Sequence, residues 1–321
     1  MVQSPEVATS TPPHPPVIAI FGATGVGKTC AAIHLALTFN GEIVNADSRY
    51  MYRHLQIGVA KPTLEERQRV RHHLIDLYDP DRAITIAEVQ TLAYEAIDTI
   101  HAEDKLPILV GGSPLYMNAI TEGWSMPNVE PDWAFREAME REAADRGHDW
   151  LLDQVRAIDP IVAERSAANA RRLIRALEVY RTTGTPMSDL ESRTPPPYHF
   201  LNIALHLPRE AHYPLLDRRI DEQIADGWID EVRTLADMGY GENDPGFTSI
   251  GYRQLIEHIR GEIDLTTAIE LIRQATRRYV RHQTTWLRRR GDLEWFDTSE
   301  EGWLERLENR VRQYLAQIST V

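Results

Sequence analysis

Gly22-Ala23-Thr24-Gly25-Val26-Gly27-Lys28-Thr29 stands between an apolar run at residues 17–21 and a stretch of helical composition at 30–39. The octapeptide fits G-x-x-x-x-G-K-[ST], and a strand before it with a helix after it is the setting that motif requires. Its glycines let the backbone turn so that successive N–H groups face one point. The N-terminus of the following helix adds a positive dipole end there. Lys28 contributes a point charge, and Thr29 a hydroxyl suited to a magnesium ion. Thr24, Gly25, Val26, Gly27, Lys28 and Thr29 therefore form a cradle for a di- or triphosphate. The loop does not say which phosphate is held or what reaction follows.

Moving outward, strand-like runs recur at residues 42–46, 107–111, 200–206 and, more weakly, 293–296, with helical patterns between them, for example at 86–100. Strands alternating with helices predict an α/β core, a parallel sheet with helices on both faces. Ligands of such sheets bind beyond the carboxyl ends of strands. That places Asp47, which follows the second run, and Ser113, which follows the third, beside the phosphate. Asp47 could also simply cap the next helix. Residues 124–197 read as helices only, and they end at Thr194-Pro195-Pro196-Pro197. The expected organisation is a Pro-rich tail at 1–16, core at 17–123, an all-helical insertion domain at 124–198 and the rest of the core at 199–321.

The chain has 321 residues, enough for a sizeable core with an insertion, and its one cysteine, Cys30, excludes a disulfide framework. Cys30 is read as a packing residue of the helix after the loop, in a reducing compartment and hence a cytoplasmic protein. The tail lacks the apolar segment of a signal peptide, and nothing beyond it has the length of a membrane span. With 35 basic and 48 acidic residues the net charge is −13, which argues against indiscriminate nucleic-acid binding. Yet residues 271–291 carry Arg273, Arg277, Arg278, Arg281, Arg288, Arg289 and Arg290 with no acidic residue, interleaved with Tyr279, His282 and Trp286. Such a stripe is either a solvated helix face paired with carboxylates elsewhere or a polyanion-binding surface. A smaller cluster, Arg171, Arg172 and Arg175, lies on a periodic helical segment of the insertion.

These segments, in order, carry a resemblance. Beside the phosphate loop stand Asp47-Ser48, Ile57-Gly58-Val59-Ala60-Lys61-Pro62, His72-His73-Leu74-Ile75-Asp76, Gly111-Gly112-Ser113-Pro114-Leu115-Tyr116, Arg172-Leu173-Ile174-Arg175-Ala176-Leu177-Glu178-Val179-Tyr180, Ile250-Gly251-Tyr252 and Gln283-Thr284-Thr285-Trp286. Together they resemble the bacterial tRNA dimethylallyltransferases, or tRNA isopentenyltransferases, over residues 17–296. The resemblance implies a P-loop NTPase-like core. It also implies transfer of a dimethylallyl group from dimethylallyl diphosphate to N6 of the adenosine 3′ of the anticodon, in tRNAs reading codons that begin with U. Asp47 matches the family's proton acceptor, Ser113 stands where the family usually has threonine, and Arg219 matches the arginine that clamps the diphosphate. A magnesium ion on Thr29 is expected.

The same resemblance implies that the anticodon stem-loop of tRNA is faced by Asp47, Ser48, Arg49, Tyr50, Arg136, Arg171, Arg172, Arg175, Thr248, Gly251, Tyr252, Arg253, Arg278, Arg281 and Gln283. No membrane and no protein partner is implied. The chain departs from the family pattern at Tyr50 for glutamine, Val59 for threonine, Pro114 for glycine, Leu215, Gln223, and His282 for arginine. His72 and His73 suggest a metal pair but lack further ligands, so a structural role is expected. Three other readings remain open at this stage: a relative that prenylates free adenylate, a small-molecule P-loop kinase and a non-catalytic RNA-binding module.

Overall fold

The computed structural model describes residues 14–127 and 129–318, so most of the expected tail lies outside the described residues. Six parallel strands form the main sheet. In chain order they are β1 (Pro16–Gly22), β2 (Gly41–Asn45), β3 (His72–His73), β4 (Leu106–Gly111), β7 (His199–His206) and β8 (Glu294–Asp297), arranged β3-β2-β4-β1-β7-β8. The remaining two, β5 (Trp124–Ser125) and β6 (Ser192–Arg193), pair antiparallel as a separate ribbon. The expected α/β core is thus present, with the phosphate loop leaving the central strand.

Alternation along β1 explains its central position. Val17, Ala19 and Phe21 face one core, Ile18 and Ile20 the other, and all five are fully buried. A strand apolar on both faces can be satisfied only inside a sheet covered by helices on each side. On the first side lie α1 (Lys28–Thr38), packed through Ala31, Ala32 and Leu35, and α14 (Trp303–Ile318), packed through Leu307 and Val311. The other side is covered by α3 (Ile86–Ala102), through Val89, Ala93, Ile97 and Ile100, and by α4 (Pro114–Glu122), through Met117 and Ile120. Thr85 caps α3 and Thr63 caps the short α2 (Leu64–Arg69), each accepting an N–H from the third residue on.

A third apolar cluster joins α10 (Arg209–Ala225), α11 (Trp228–Asp237), α12 (Tyr252–Ile259) and α13 (Leu265–Leu287) around Trp228, Phe247 and Tyr252. Gly58 is required here: a Cβ at that position would fall 2.0 Å from Trp228 Nε1. The insertion is a compact unit of its own, spanning Glu122–Pro196. It contains α5 (Trp133–Arg146), α6 (His148–Ile158), α7 (Pro160–Arg165), α8 (Ala170–Thr183) and α9 (Met187–Leu190), around Leu151, Val155, Leu173 and Val179. The reading of helices only is therefore amended by the β5–β6 ribbon at its root, where two-residue strands are too short to leave a sequence pattern.

Two local readings are decided by the fold. His72 and His73 form the edge strand β3; His73 Nε2 sits 2.6 Å from Glu42 Oε2 and His72 Nδ1 2.8 Å from the Val70 carbonyl oxygen. They are structural, and no group of three His, Cys, Asp or Glu side chains among the described residues is placed to hold a metal. Cys30 corrects the packing expectation: it is exposed, because the helix turns Ala31 and Ala32 rather than Cys30 toward the core. No helix of the described residues is long and apolar enough to cross a membrane.

Candidate active site

Positive φ at Gly25 (82°) and Gly27 (92°) lets the loop after β1 curl before α1 begins at Lys28. Side chains are rarely stable in that region of backbone space, which is why glycine occupies both positions. The loop opens on a cavity of about 390 Å³ whose wall includes Thr24, Gly25, Gly27, Lys28, Thr29, Asp47, Tyr50 and Arg219. Val26 differs from its neighbours. Its side chain is buried behind the loop, so only its backbone is available to a ligand in this cavity.

Lys28 Nζ donates to the Ala23 carbonyl oxygen at 2.8 Å, within its own loop. Desolvation brings its ammonium down to about 8; Asp47 opposes the shift and Arg219 adds to it. This lysine titrates close to neutrality until an anion arrives. Burial, and after it the Asp47 carboxylate, push the Tyr50 phenol well up, and its hydroxyl donates to the Ala60 carbonyl oxygen at 2.9 Å. Tyr50, one of the departures from the family pattern, thus ties the 47–50 turn to residues 57–62, whose Val59, Ala60, Lys61 and Pro62 also line the cavity.

Asp47 lies just beyond β2, where Asn45 fixes the turn by donating to the Asp47 carbonyl oxygen at 2.8 Å and accepting the Asp47 N–H at 3.1 Å. One carboxylate oxygen accepts the Arg49 N–H at 3.0 Å, so the side chain is held in place. Asp47, Thr24, Val59 and Arg219 belong at once to the phosphate cavity and to a second chamber of about 280 Å³. That chamber adds Arg49, Leu216, Ile220, Trp228, Thr248, Ile250 and Tyr279. An anion cradle therefore shares a wall, containing a carboxylate and a guanidinium, with a chamber having aromatic and apolar sides. Arg219 itself, on α10, has no carboxylate within ion-pair distance among the described residues.

Ser113 follows Gly112 at the β4 end and accepts the Met117 N–H through its backbone at the start of α4. It is half-buried and not among the lining residues of either cavity. Gln283 ties these parts together. Its carboxamide accepts the Thr24 N–H at 3.1 Å and donates to the Gly112 carbonyl oxygen at 2.6 Å. It is 1% exposed, so the expectation that it faces RNA gives way to a structural link between α13 and the phosphate loop. Tyr252 is likewise fully buried, its hydroxyl donating to Glu231 Oε1 at 2.6 Å, and Gly251 is packed beneath Trp228. Neither offers a surface to a nucleic acid in this conformation.

The remaining expected contacts divide by charge pairing. Thr248, Arg253, Arg171, Arg172, Arg278 and Arg281 are exposed, though Arg253 pairs with Glu257 at 3.0 Å and Arg172 with Glu191 at 3.9 Å. Ser48 is buried and Arg49 donates to the Pro245 carbonyl oxygen at 2.8 Å. In the stripe, Arg273 pairs with Asp221 at 2.6 Å and Arg277 with Asp217, both on α10, whereas Arg278 and Arg281 have no carboxylate in ion-pair range among the described residues. In the insertion, Arg136 and Arg175 both clamp Glu178, which is 1% exposed; Arg175 also donates to the Val129 carbonyl oxygen at 2.8 Å. Burial pushes the Glu178 carboxyl up, but the hydrogen bonds from Arg136 and Arg175 outweigh it and the net shift is downward.

Sequence reasoning missed Glu231 and Tyr279. The Glu231 carboxylate accepts three successive backbone N–H groups, from Gln56 (2.8 Å), Ile57 (2.6 Å) and Gly58 (3.1 Å), and Gln223 donates to the Gly58 carbonyl oxygen at 3.2 Å. This pair holds the segment that carries Val59 to the wall of both cavities, and a contact spanning about 170 positions leaves no local signal. Tyr279 was visible as an aromatic within the arginine stripe; it lines the second chamber with its ring 36% exposed.

Known proteins resemble the chain over most of its length. A family model described as IPP transferase matches residues 50–290. The tRNA dimethylallyltransferase of Thermomicrobium roseum is 46% identical over 305 residues, covering 95% of this chain and 93% of that protein. The one from Dehalococcoides mccartyi is 40% identical over 321 residues, covering 98% of each. The crystal structure of the full-length tRNA isopentenylpyrophosphate transferase of Bacillus halodurans matches with a TM-score of 0.71 at 34% identity, over 96% of this chain and 98% of that one. A eukaryotic dimethylallyltransferase acting on tRNA matches with a TM-score of 0.72 at 26% identity, over 88% and 74%.

Proposed function

The chain belongs to the IPP transferase family, and from that premise we propose that it transfers a dimethylallyl group from dimethylallyl diphosphate to N6 of the adenosine 3′ of the anticodon. The tRNAs are those reading codons that begin with U, and diphosphate is released. The observation that carries this reading is the shared wall: Asp47 and Arg219 border both the phosphate cavity and the chamber beside it. The family assignment displaces the kinase and RNA-binding-module readings.

In the reaction the allylic C–O bond breaks with its electron pair on the diphosphate, while the adenine N6 lone pair forms the new C–N bond. Negative charge grows on the leaving oxygens. The phosphate loop, Lys28 and Arg219 line the cavity where that charge would develop, and donors set there in advance lower such barriers. The N6 lone pair is delocalised into the ring, so bond formation requires loss of the N6 proton. Asp47 accepts it, and with the residues around it held by Asn45 and Arg49 the carboxylate needs little reorganisation. Ser113 lines neither cavity and stands outside this set of contacts. The target base is stacked in free RNA and must be flipped into the second chamber, where Tyr279 offers an aromatic face while Trp228 is buried in the wall.

Thr29 and Glu66 bring a hydroxyl and a carboxylate to the phosphate cavity, hard oxygens that would suit Mg²⁺. When bound, the ion neutralises charge on the diphosphate oxygens. The exposed Arg278 and Arg281 on α13, and Arg171 and Arg172 in the insertion, suit phosphates of the anticodon stem-loop. A cytoplasmic enzyme fits the exposed single thiol of Cys30.

The test is incubation with unmodified tRNA, dimethylallyl diphosphate and magnesium, then mass spectrometry of the digested nucleosides. N6-dimethylallyl adenosine beside the anticodon, absent with Asp47→Ala, is the expected result. Product only with free adenosine monophosphate would transfer the chain to the nucleotide-modifying relatives.

A further inference from the structure

Ala23 and Val26 of the phosphate loop also border a cavity of about 600 Å³ whose lining does not include Asp47, larger than either chamber of the active site. We propose that it is a second nucleotide-recognition site, taking one nucleoside phosphate with the phosphate on Arg209, Arg281 and Arg288 and the base on Trp295.

Charge is the first ground. No lining residue is acidic, in a chain with 48 acidic and 35 basic residues. Along α13, Arg273 and Arg277 are neutralised by Asp221 and Asp217, yet Arg281 and Arg288, which reach the cavity, have no carboxylate in ion-pair range among the described residues. Arg209, at the start of α10, is equally unpaired. Three uncompensated guanidinium groups around one concavity repel each other and favour an anion, and guanidinium geometry suits phosphate.

The second ground is aromatic. Trp295 lines the cavity and is 38% exposed as a residue, with its ring set edgewise to His206 at 5.8 Å. The Tyr213 ring is taken up by Arg209 at 4.9 Å and Arg277 at 5.5 Å, so it holds the arginines in place and leaves Trp295 as the stacking face. A water-exposed indole beside arginines is a surface on which the base of an unpaired nucleotide stacks. A bare diphosphate would use the arginines and leave Trp295 without a role. The volume is also within the range of small-ligand sites.

The occupant touches the catalytic loop. Ala23 and Val26 form part of the wall, and the buried His212 has its Nε2 2.8 Å from the Thr24 carbonyl oxygen. A carbonyl oxygen can only accept, so Nε2 carries the proton. Nucleotide binding here would thereby steady the loop that holds the donor. The ligand could be another nucleotide of the RNA acceptor, which rests on the function proposed above, or a free mononucleotide.

Both sources can be tested with the full-length protein. Calorimetry would measure adenosine and uridine 5′-monophosphate and inorganic diphosphate against wild type, Trp295→Leu, Trp295→Phe and Arg288→Glu. An anticodon stem-loop carrying 4-thiouridine at single loop positions would be photo-crosslinked and the attached peptides sequenced. Crosslinks to the peptides of Arg288 or Trp295, with RNA affinity about tenfold weaker in Trp295→Leu and restored in Trp295→Phe, support the site with RNA as the source. Mononucleotide binding lost in Trp295→Leu and Arg288→Glu, without crosslinks, supports it with a free nucleotide. Mononucleotide binding unchanged in both Trp295→Leu and Arg288→Glu, with no crosslinks to their peptides, overturns the proposal, as does the absence of both binding and crosslinks; diphosphate, which the phosphate loop also holds, is the reference ligand and should ignore Trp295→Leu. Prenyl transfer by the wild-type preparation, measured alongside, separates failure of this site from failure of the proposed function.

Discussion

Lys28 is folded back onto the carbonyl oxygen of Ala23, five residues before it, at 2.8 Å. With its ammonium brought down to about 8 chiefly by desolvation, the lysine begins to lose its proton just above neutral pH when no anion is present. A bound diphosphate favours the protonated form, so binding takes up a proton at alkaline pH. Affinity for dimethylallyl diphosphate should hold from pH 6.5 to about 8 and then fall, by up to about tenfold per pH unit. Calorimetry from pH 6.5 to 9.5 checks this. A flat profile in wild type would exclude Lys28 as the titrating group, and Lys28→Met should bind weakly at every pH.

Asp47→Asn should keep the turn after β2, since amide oxygen can still accept from the Arg49 N–H. It removes the base for the N6 proton. We expect kcat to fall about 10²- to 10⁴-fold, with donor affinity changed little. Single-turnover rates and equilibrium binding separate the two, and an unaltered rate would assign the proton to another acceptor.

Glu231 is expected to act through the segment it holds. Glu231→Ala leaves three backbone N–H groups and the Tyr252 hydroxyl without their acceptor, at a cost of about 2–4 kcal/mol in stability. Because that segment lines both cavities, the KM for donor should rise while kcat is less affected. Glu231→Gln, which retains one oxygen, should recover part of both. Full activity in the alanine variant would reduce Glu231 to a bystander.

Glu178 separates the insertion from the chemistry. Its removal strands Arg136 and Arg175 beside a buried site, which typically costs about 3–5 kcal/mol. Glu178→Ala should loosen the insertion and weaken tRNA binding, yet leave dimethylallyl diphosphate affinity at the wild-type value. Acid should act in the same direction. The folded carboxyl sits below its ordinary range, so its stabilising contribution is present at neutral pH and is lost as pH drops through the lowered value. Hydrogen exchange of α5 and α8 would report it.

Arg278 and Arg281 should each supply one phosphate contact. Charge reversal at either is expected to weaken tRNA binding and lower the slope of log affinity against log salt by about 1. The same change at Arg273, already paired with Asp221, should alter that slope far less. Equal slopes for all three would mean that the pairing seen in the fold does not select the contacts.

The phosphate loop, its strand and Asp47 were legible because their signals are local: glycine spacing, an apolar run, a polar residue at a strand end. The pairing of charges was not. Arg136 and Arg175 look like RNA contacts until Glu178 is found between them, and Arg277 until Asp217 comes beside it from 60 positions away. Gln283 carries the same lesson, since its partners Thr24 and Gly112 come from distant parts of the chain. β3 escaped because two residues cannot show a period, and Cys30 because an apolar residue beside a helix start gives no clue to which side the first turn presents.

The β5–β6 ribbon has a consequence for how this chain could diversify. Trp124 pairs with Arg193 and Ser125 with Ser192, so the excursion between them leaves and returns through adjacent positions, about 5 Å apart as paired strands are. A block with its two ends side by side can be lengthened, shortened or exchanged with that of a relative at little entropic cost, and the register of the six-stranded sheet is untouched. Acceptor preference could thus be traded among relatives as a cassette, while the phosphate chemistry is inherited whole.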